Sequence, residues 1–248
     1  MTNFVINIVS DPVCPWCYIG KRRLDKAIAL YQKVYPSGRD DTFAVNWTAY
    51  YLDPTAPARG ISHRERLLQK LASTRSKKSN PDPTAIEVDD NNQELAERLT
   101  ARLASIGRQE GIAFSFQGRI GNTRSAHRAV AFSKTHPNLQ NEPAQQVQDR
   151  FVTALFAGYF EGSLDITSHE ALADVAASVG LNRAAMRAWL DSGRGGEEVD
   201  EEDRAARARG INGVPCFTVQ GAKLDGAQDV QDFLELFIKV KEEEQGQG

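Results

Sequence analysis

"DPVCPWCYIG", residues 11–20, sets two of the chain's three cysteines, Cys14 and Cys17, three positions apart with a proline and a tryptophan between them. The preceding "FVINIV", residues 4–9, is short, β-branched and flanked by polar residues, which suits a buried strand. From Pro15 to about Val34 the pattern becomes helical, with Trp16, Ile19, Leu24, Ile28 and Tyr31 at three- and four-residue steps. Cys14 then falls at the N-cap, and Pro15 at the first helical position, where a missing N–H costs nothing. Cys17 is the third helical residue, and its N–H is expected to point at the Cys14 sulfur as it would at a capping oxygen. The positive end of the helix favours a sulfur anion there, lowering a thiol pKa that is ordinarily ~8.5. Such a thiolate attacks disulfides, and Cys17, one turn away, is placed to resolve the mixed disulfide.

Two other readings compete with this redox dithiol. A close cysteine pair also serves zinc, but a structural zinc site usually takes a second pair, and only Cys216 and four scattered histidines are left here. The pair could also be an accident of a turn. A strand before it and a capped helix after it favour the redox reading.

Composition narrows the classes further. The chain has 248 residues, with 30 Lys plus Arg against 33 Asp plus Glu, for a formal charge of −3. That balance gives no general attraction to nucleic acid or to an anionic membrane. The basic run Arg75, Lys77, Lys78 reads as a solvated loop. No stretch approaches the ~18 apolar residues that span a bilayer. The opening "MTNFVINIVSDP" lacks a basic start and its apolar run is broken by Asn7, so no secretory signal is expected and the cytoplasm is the expected location. A reducing cytoplasm does not maintain structural bridges, so a close cysteine pair there is expected to be chemical.

Along the chain, "FAVNWTAYYL", residues 43–52, reads as a second strand, giving strand, helix, strand, and hence two parallel strands joined by a crossover. Helical patterns dominate from about Ser62 to Arg209, led at several points by Ser or Asn caps. Ser73 to Asn92 is polar, contains Pro81 and Pro83, and is expected to be a long exposed loop. After Gly210, "CFTVQG" and "AKLDG" read as two short antiparallel strands, and "AQDVQDFLELFIKVKEEE" as a final amphipathic helix. The expected organisation is one sheet built from residues 1–53 and 211–248, with a helical insertion at 54–210.

"GINGVPCF", residues 210–217, is a second signature: Pro215 opens the returning strand, where a missing ladder donor is tolerated. If the Val214–Pro215 bond is cis, the Val214 backbone turns toward the cysteine loop, where an extended substrate could pair with it. An ordinary trans turn proline is the alternative.

The order of these motifs resembles the DsbA-like branch of the thioredoxin superfamily, and within it the FrnE-type members. "DPVCPWCYIGKRRL", "GNTRSAHRAV" (121–130), "LFAGYFEGSLDITSHEALADVA" (155–176) and "GINGVPCFTV" (210–219) are similar to that family's motifs, in order and over nearly the whole length. The resemblance implies an α/β thioredoxin fold, β-α-β then β-β-α on one mixed sheet, with a large all-helical insertion. It implies protein disulfide oxidoreductase activity on a disulfide or dithiol substrate, protein or small thiol, with Pro215 beside the cysteines. No metal or nicotinamide is implied, and glutathione or another dithiol protein is the expected electron source or sink. Two features depart from the family. The 73–92 stretch is longer, and the additional C-terminal cysteine pair of some members is missing, so no relay through a second dithiol is implied.

Cys14 is thus the expected nucleophile, Cys17 the resolving thiol and Pro215 the substrate-side backbone element. Pro15, Trp16, Val214, Asn122, His127 and Tyr159 are the candidate substrate-binding residues. Several have plainer readings too: Trp16 could pack on the insertion, His127 could be a hydrogen-bonded core histidine, and Asn122 a helix cap. Cys216 reads as a buried apolar cysteine, and Lys21 as a solvated helix charge. The insertion is expected to shape a groove over Cys14, with His127 and Tyr159 influencing the substrate. The alternative activity is that of the related kappa-class glutathione transferases and 2-hydroxychromene-2-carboxylate isomerases, which usually carry serine at the attacking position and no partner thiol. A chaperone-like binding groove, which needs no cysteine pair, is a third class.

Overall fold

Residues 1–76, 90–135 and 142–246 are described by the structure, a computed structural model. The chain begins with β1 (Asn3–Ser10), α1 (Pro15–Val34) and β2 (Thr42–Ala49). Then come β3 (Ile61–Ser62), α2 (His63–Ser76), α3 (Asp90–Glu110), β4 (Arg119–Ile120), α4 (Arg124–Thr135), α5 (Ala144–Phe160), α6 (His169–Ser178), α7 (Arg183–Asp191) and α8 (Gly196–Ala208). The chain returns through β5 (Cys216–Val219) and β6 (Ala222–Asp225) to α9 (Val230–Gly246).

The main sheet has the order β2-β1-β5-β6. β1 and β2 are parallel, whereas β1–β5 and β5–β6 are antiparallel. This is the mixed sheet of a thioredoxin fold, with helices inserted between β2 and β5. In β1 the alternate residues Phe4, Ile6 and Ile8 are buried, while Asn3, Val5 and Asn7 are exposed, the period-2 pattern of a strand with one core face. The core face packs under α1 and α9, where the Phe4 ring stacks on Phe43 at 4.8 Å and meets Phe237 at 5.2 Å.

The insertion is fastened to the sheet through the free edge of β2. The outward N–H groups of Trp47, Ala49 and Tyr51 donate to Gln148 Oε1 (3.2 Å), Glu202 Oε2 (2.7 Å) and Asp203 Oδ1 (2.8 Å). An open edge would otherwise leave these donors unpaired or free to template another strand. A second tie sits at the opposite end of the sheet. The buried Asp41 carboxylate accepts from Lys241 Nζ (2.7 Å), Thr2 N (2.6 Å) and Tyr31 Oη (2.9 Å), joining α9 to β1 and α1.

The expected 73–92 loop is helical at its two ends, since α2 reaches Ser76 and α3 begins at Asp90. Residues 77–89 between them, with most of the basic run at 75–78, lie outside the described residues. Three elements of the insertion have no clear signal in the sequence. The two-residue strands β3 and β4 pair antiparallel, and α8 carries the acidic "GEEVDEED" yet buries Val199, Asp203 and Ala206.

Candidate active site

Cys14 is the N-cap of α1, with φ −89° and ψ 113°, and Pro15 opens the helix. The capping geometry differs from the expected one. Cys17 N–H donates to the Cys14 backbone oxygen at 3.0 Å, and no side chain caps the helix. The Cys14 thiol turns instead to the returning strand, where it donates to the Val214 carbonyl oxygen at 3.5 Å. The Val214–Pro215 bond is cis. Both thiols are free and buried, Cys14 at 3% and Cys17 at 1% exposure. Burial, followed by the neighbouring Cys14, pushes the Cys17 thiol well above its ordinary value.

Around Cys14 the surface is open. Trp16 is 39% exposed, Asn212 and Gly213 are exposed, and Pro15 and Val214 are half-buried. Beside them lies a cavity of about 360 Å³ lined by Gly213, Val214, Pro215, Lys223 and Asp225 among others. The indole is therefore partly presented to solvent.

Behind the cysteine loop lies a buried polar cluster. Asp11 is fully buried, and its carboxylate accepts from Leu52 N (2.7 Å) and Val13 N (3.4 Å). Burial raises its pKa to about 7, against the lowering effect of those N–H groups and the Thr123 hydroxyl. His127 is 5% exposed, its Nε2 lying 3.1 Å from the Tyr50 carbonyl and 3.7 Å from Asp11 Oδ1. Since a carbonyl only accepts, Nε2 carries the proton, and burial lowers the ring's pKa to about 4. The hydroxyls of Ser10 and Tyr159 are buried without a hydrogen-bond partner, the two such side chains among the described residues.

A family model, the DSBA-like thioredoxin domain, matches residues 5–237. The chain belongs to that family. Its fold is similar to that of a protein described as a probable DsbA oxidoreductase from Streptomyces coelicolor, with TM-score 0.70 and 23% identity over 95% of this chain and 89% of that one. It is also similar to a 2-hydroxychromene-2-carboxylate isomerase (TM-score 0.63, 16% identity, 98% and 99% coverage). A third likeness is to the cytosolic disulfide reductase DsbM from Pseudomonas aeruginosa (TM-score 0.51, 15% identity, 96% and 98% coverage). The sequence matches no curated protein.

Within this DsbA-like frame, several sequence-based assignments need correcting. Tyr159, expected on the wall of a groove, is 2% exposed and presents no surface to a ligand. His127 is buried as well, and the cavity of about 270 Å³ that it lines with Trp47, Ala49 and Trp189 includes neither cysteine. Lys21 is not solvated. It is 3% exposed and pairs with Asp25 and, at 3.0 Å, with Asp149, which ties the cysteine-bearing helix to α5. Asn122 lies one residue before the N-cap position of α4, and its Oδ1 accepts from the first helical N–H, that of Arg124, at 2.9 Å. Cys216 is 1% exposed, and burial, then Asp225, pushes its thiol up to about 11.

Asp11 is the principal residue that sequence reasoning missed. In the sequence, Asp11-Pro12 reads as a strand breaker. The signal available was its place, between a buried strand and a helix start. The aromatics of "LFAGYF" pack rather than line a groove, with Phe156 and Phe160 stacked on Tyr18 at 5.3 and 5.9 Å.

Proposed function

We propose that this DsbA-like chain is a thiol–disulfide oxidoreductase working through Cys14 and Cys17. The observation that carries the reading is the Cys14 sulfur at the head of α1, 3.5 Å from the Val214 carbonyl, with Cys17 one turn further on. The Cys14 thiolate attacks one sulfur of a substrate disulfide. A Cys14–substrate disulfide forms, and the other substrate sulfur leaves with the electron pair and takes a proton from water. Cys17, as thiolate, then attacks the Cys14 sulfur. The Cys14–Cys17 bond forms as the mixed disulfide breaks, and the second substrate thiol is released. The substrate has gained two electrons and two protons and the protein has lost them. The reverse sequence oxidises a dithiol.

Trp16 and the Val214 backbone form the substrate-side surface, Trp16 as exposed apolar area and Val214 as a peptide group beside the attacking sulfur. Glutathione or a dithiol protein in the cytoplasm recharges the pair, a reading that agrees with the likeness to a protein named a cytosolic disulfide reductase. Two thiols in sequence are what exchange needs, and the family's oxidoreductase members support the class.

The test is a trapped intermediate. Cys17→Ser protein mixed with a disulfide such as insulin should accumulate a covalent adduct on Cys14, read by mass, while Cys14→Ser forms none. Absence of the adduct, with full exchange activity retained by either variant, overturns the reading. A glutathione-dependent isomerase, suggested by the likeness to 2-hydroxychromene-2-carboxylate isomerase, requires no partner thiol. Under that reading Cys17→Ser keeps full activity.

A further inference from the structure

We propose that Ser10 is the hydrogen-bond donor that receives the negative charge on Cys17 when that thiol acts as thiolate. The inference rests on the exchange reading above. Ser10 is the last residue of β1 and continues the row of Phe4, Ile6 and Ile8 that faces α1. It is 5% exposed, and its hydroxyl has no hydrogen-bond partner. A residue there for packing alone would be apolar like the rest of its row, because a buried hydroxyl without a partner is destabilising. Cys17 lies in the first turn of α1, and the Ser10 hydroxyl and the Asp11 backbone N–H are the groups that favour a charge on its sulfur.

The two halves fit one state of the reaction. With Cys17 as a neutral thiol, sulfur is a weak acceptor and Ser10 is left unpaired, as observed. Once Cys17 loses its proton, a buried anion 1% exposed to solvent needs donors already in place, and a hydroxyl rotates onto it without moving the backbone. The charge appears on Cys17 in both directions. In resolution the Cys17 thiolate attacks Cys14 and expels the substrate sulfur. In reduction of the Cys14–Cys17 bond, an incoming thiolate attacks Cys14, and Cys17 leaves with the electron pair before taking a proton from water.

The test compares Ser10→Ala, which removes the donor, with Ser10→Thr, which keeps it. In the reduced full-length protein, the Cys17 13Cβ shift is followed against pH by NMR, with no substrate present. Ser10→Ala should raise the Cys17 midpoint by about one pH unit, a tenfold loss of thiolate at a given pH. Ser10→Thr should stay near wild type, and the Cys216 midpoint should not move. Resolution of a preformed Cys14 mixed disulfide should slow only about threefold in Ser10→Ala, because a more basic thiolate is also more nucleophilic. A Cys17 midpoint equal in wild type, Ser10→Ala and Ser10→Thr overturns the inference even if exchange is catalysed. If the midpoint shifts but no disulfide is exchanged, the donor assignment holds and the exchange reading falls.

Discussion

His127 Nε2 lies 3.7 Å from Asp11 Oδ1, and between about pH 4 and pH 7 neither group is charged. Burial sets both states, raising the acid to about 7 and lowering the imidazole to about 4. The geometry of an ion pair is therefore occupied by two neutral groups, joined to the backbone through Leu52, Val13 and Tyr50.

Their effects on stability oppose each other. The unfolded Asp11 ionises near its ordinary 3.8 while the folded one holds its proton to about 7, so its contribution falls as pH rises between those values. The unfolded His127 protonates near 6.5 while the folded ring resists to about 4, so its contribution falls as pH drops through that interval. Wild type should accordingly show a flat contribution from this pair near pH 4 to 6.5. Asp11→Asn should unmask the histidine, with stability rising with pH by up to about 1.4 kcal/mol per unit. His127→Gln should show the opposite slope. Urea unfolding at half-unit pH intervals reads both, and identical slopes in the two variants would refute the assignment.

Gly20 permits the close approach of α1 to the returning strand. A Cβ there would lie 2.9 Å from Phe217 Cζ and 3.3 Å from Pro215 Cγ. On an open helix, Gly→Ala stabilises by about 1 kcal/mol. Here overpacking reverses the sign, and Gly20→Ala should destabilise by about 1–3 kcal/mol. It should also lower the rate of exchange, since Pro215 must shift. Thermal unfolding and an insulin-reduction assay check the two effects, and a stabilised variant would contradict this packing.

Gln148 accepts from Trp47 N at 3.2 Å and donates to the Val130 oxygen at 3.3 Å. Gln148→Leu leaves the edge donor of β2 buried and unpaired, a cost of about 1–3 kcal/mol. Gln148→Glu, which keeps the acceptor, should restore protection of the Trp47 amide in hydrogen exchange. Unaltered protection in Gln148→Leu would show that the edge is closed by other means.

Cys216 should be chemically silent in the folded state. With its thiol at about 11 and 1% exposure, it should remain unalkylated at pH 8 until the protein is unfolded. Cys216→Ser should exchange disulfides at the wild-type rate. A severalfold loss would bring a third thiol into the chemistry.

Much of the fold is written in near-neighbour patterns. The alternation of Phe4, Ile6 and Ile8 marks a strand with one core face. Cys14-Pro15 marks a helix start, and the turn before Pro215 marks the returning strand. Each involves residues within a few positions of one another, so local backbone preference and periodicity suffice to read it. The candidate dithiol was legible for the same reason, since Cys14 and Cys17 are one helical turn apart.

Contacts and charge states were decided by tertiary structure. The Val214 carbonyl reaches the Cys14 thiol from 200 residues away, a distance that no local pattern encodes. Lys21, Asp11, His127 and Tyr159 look in the sequence like a surface charge, a turn residue and two ligand contacts. They are buried because α5, α4 and the segment after β2 close over the start of α1. Burial then fixes their chemistry: desolvation leaves Asp11 protonated near neutrality and His127 uncharged, and only the pairing of Lys21 with Asp25 and Asp149 accommodates its charge. Sequence determines which groups can ionise, whereas the distances and the water left around them, set by packing, decide which of them do.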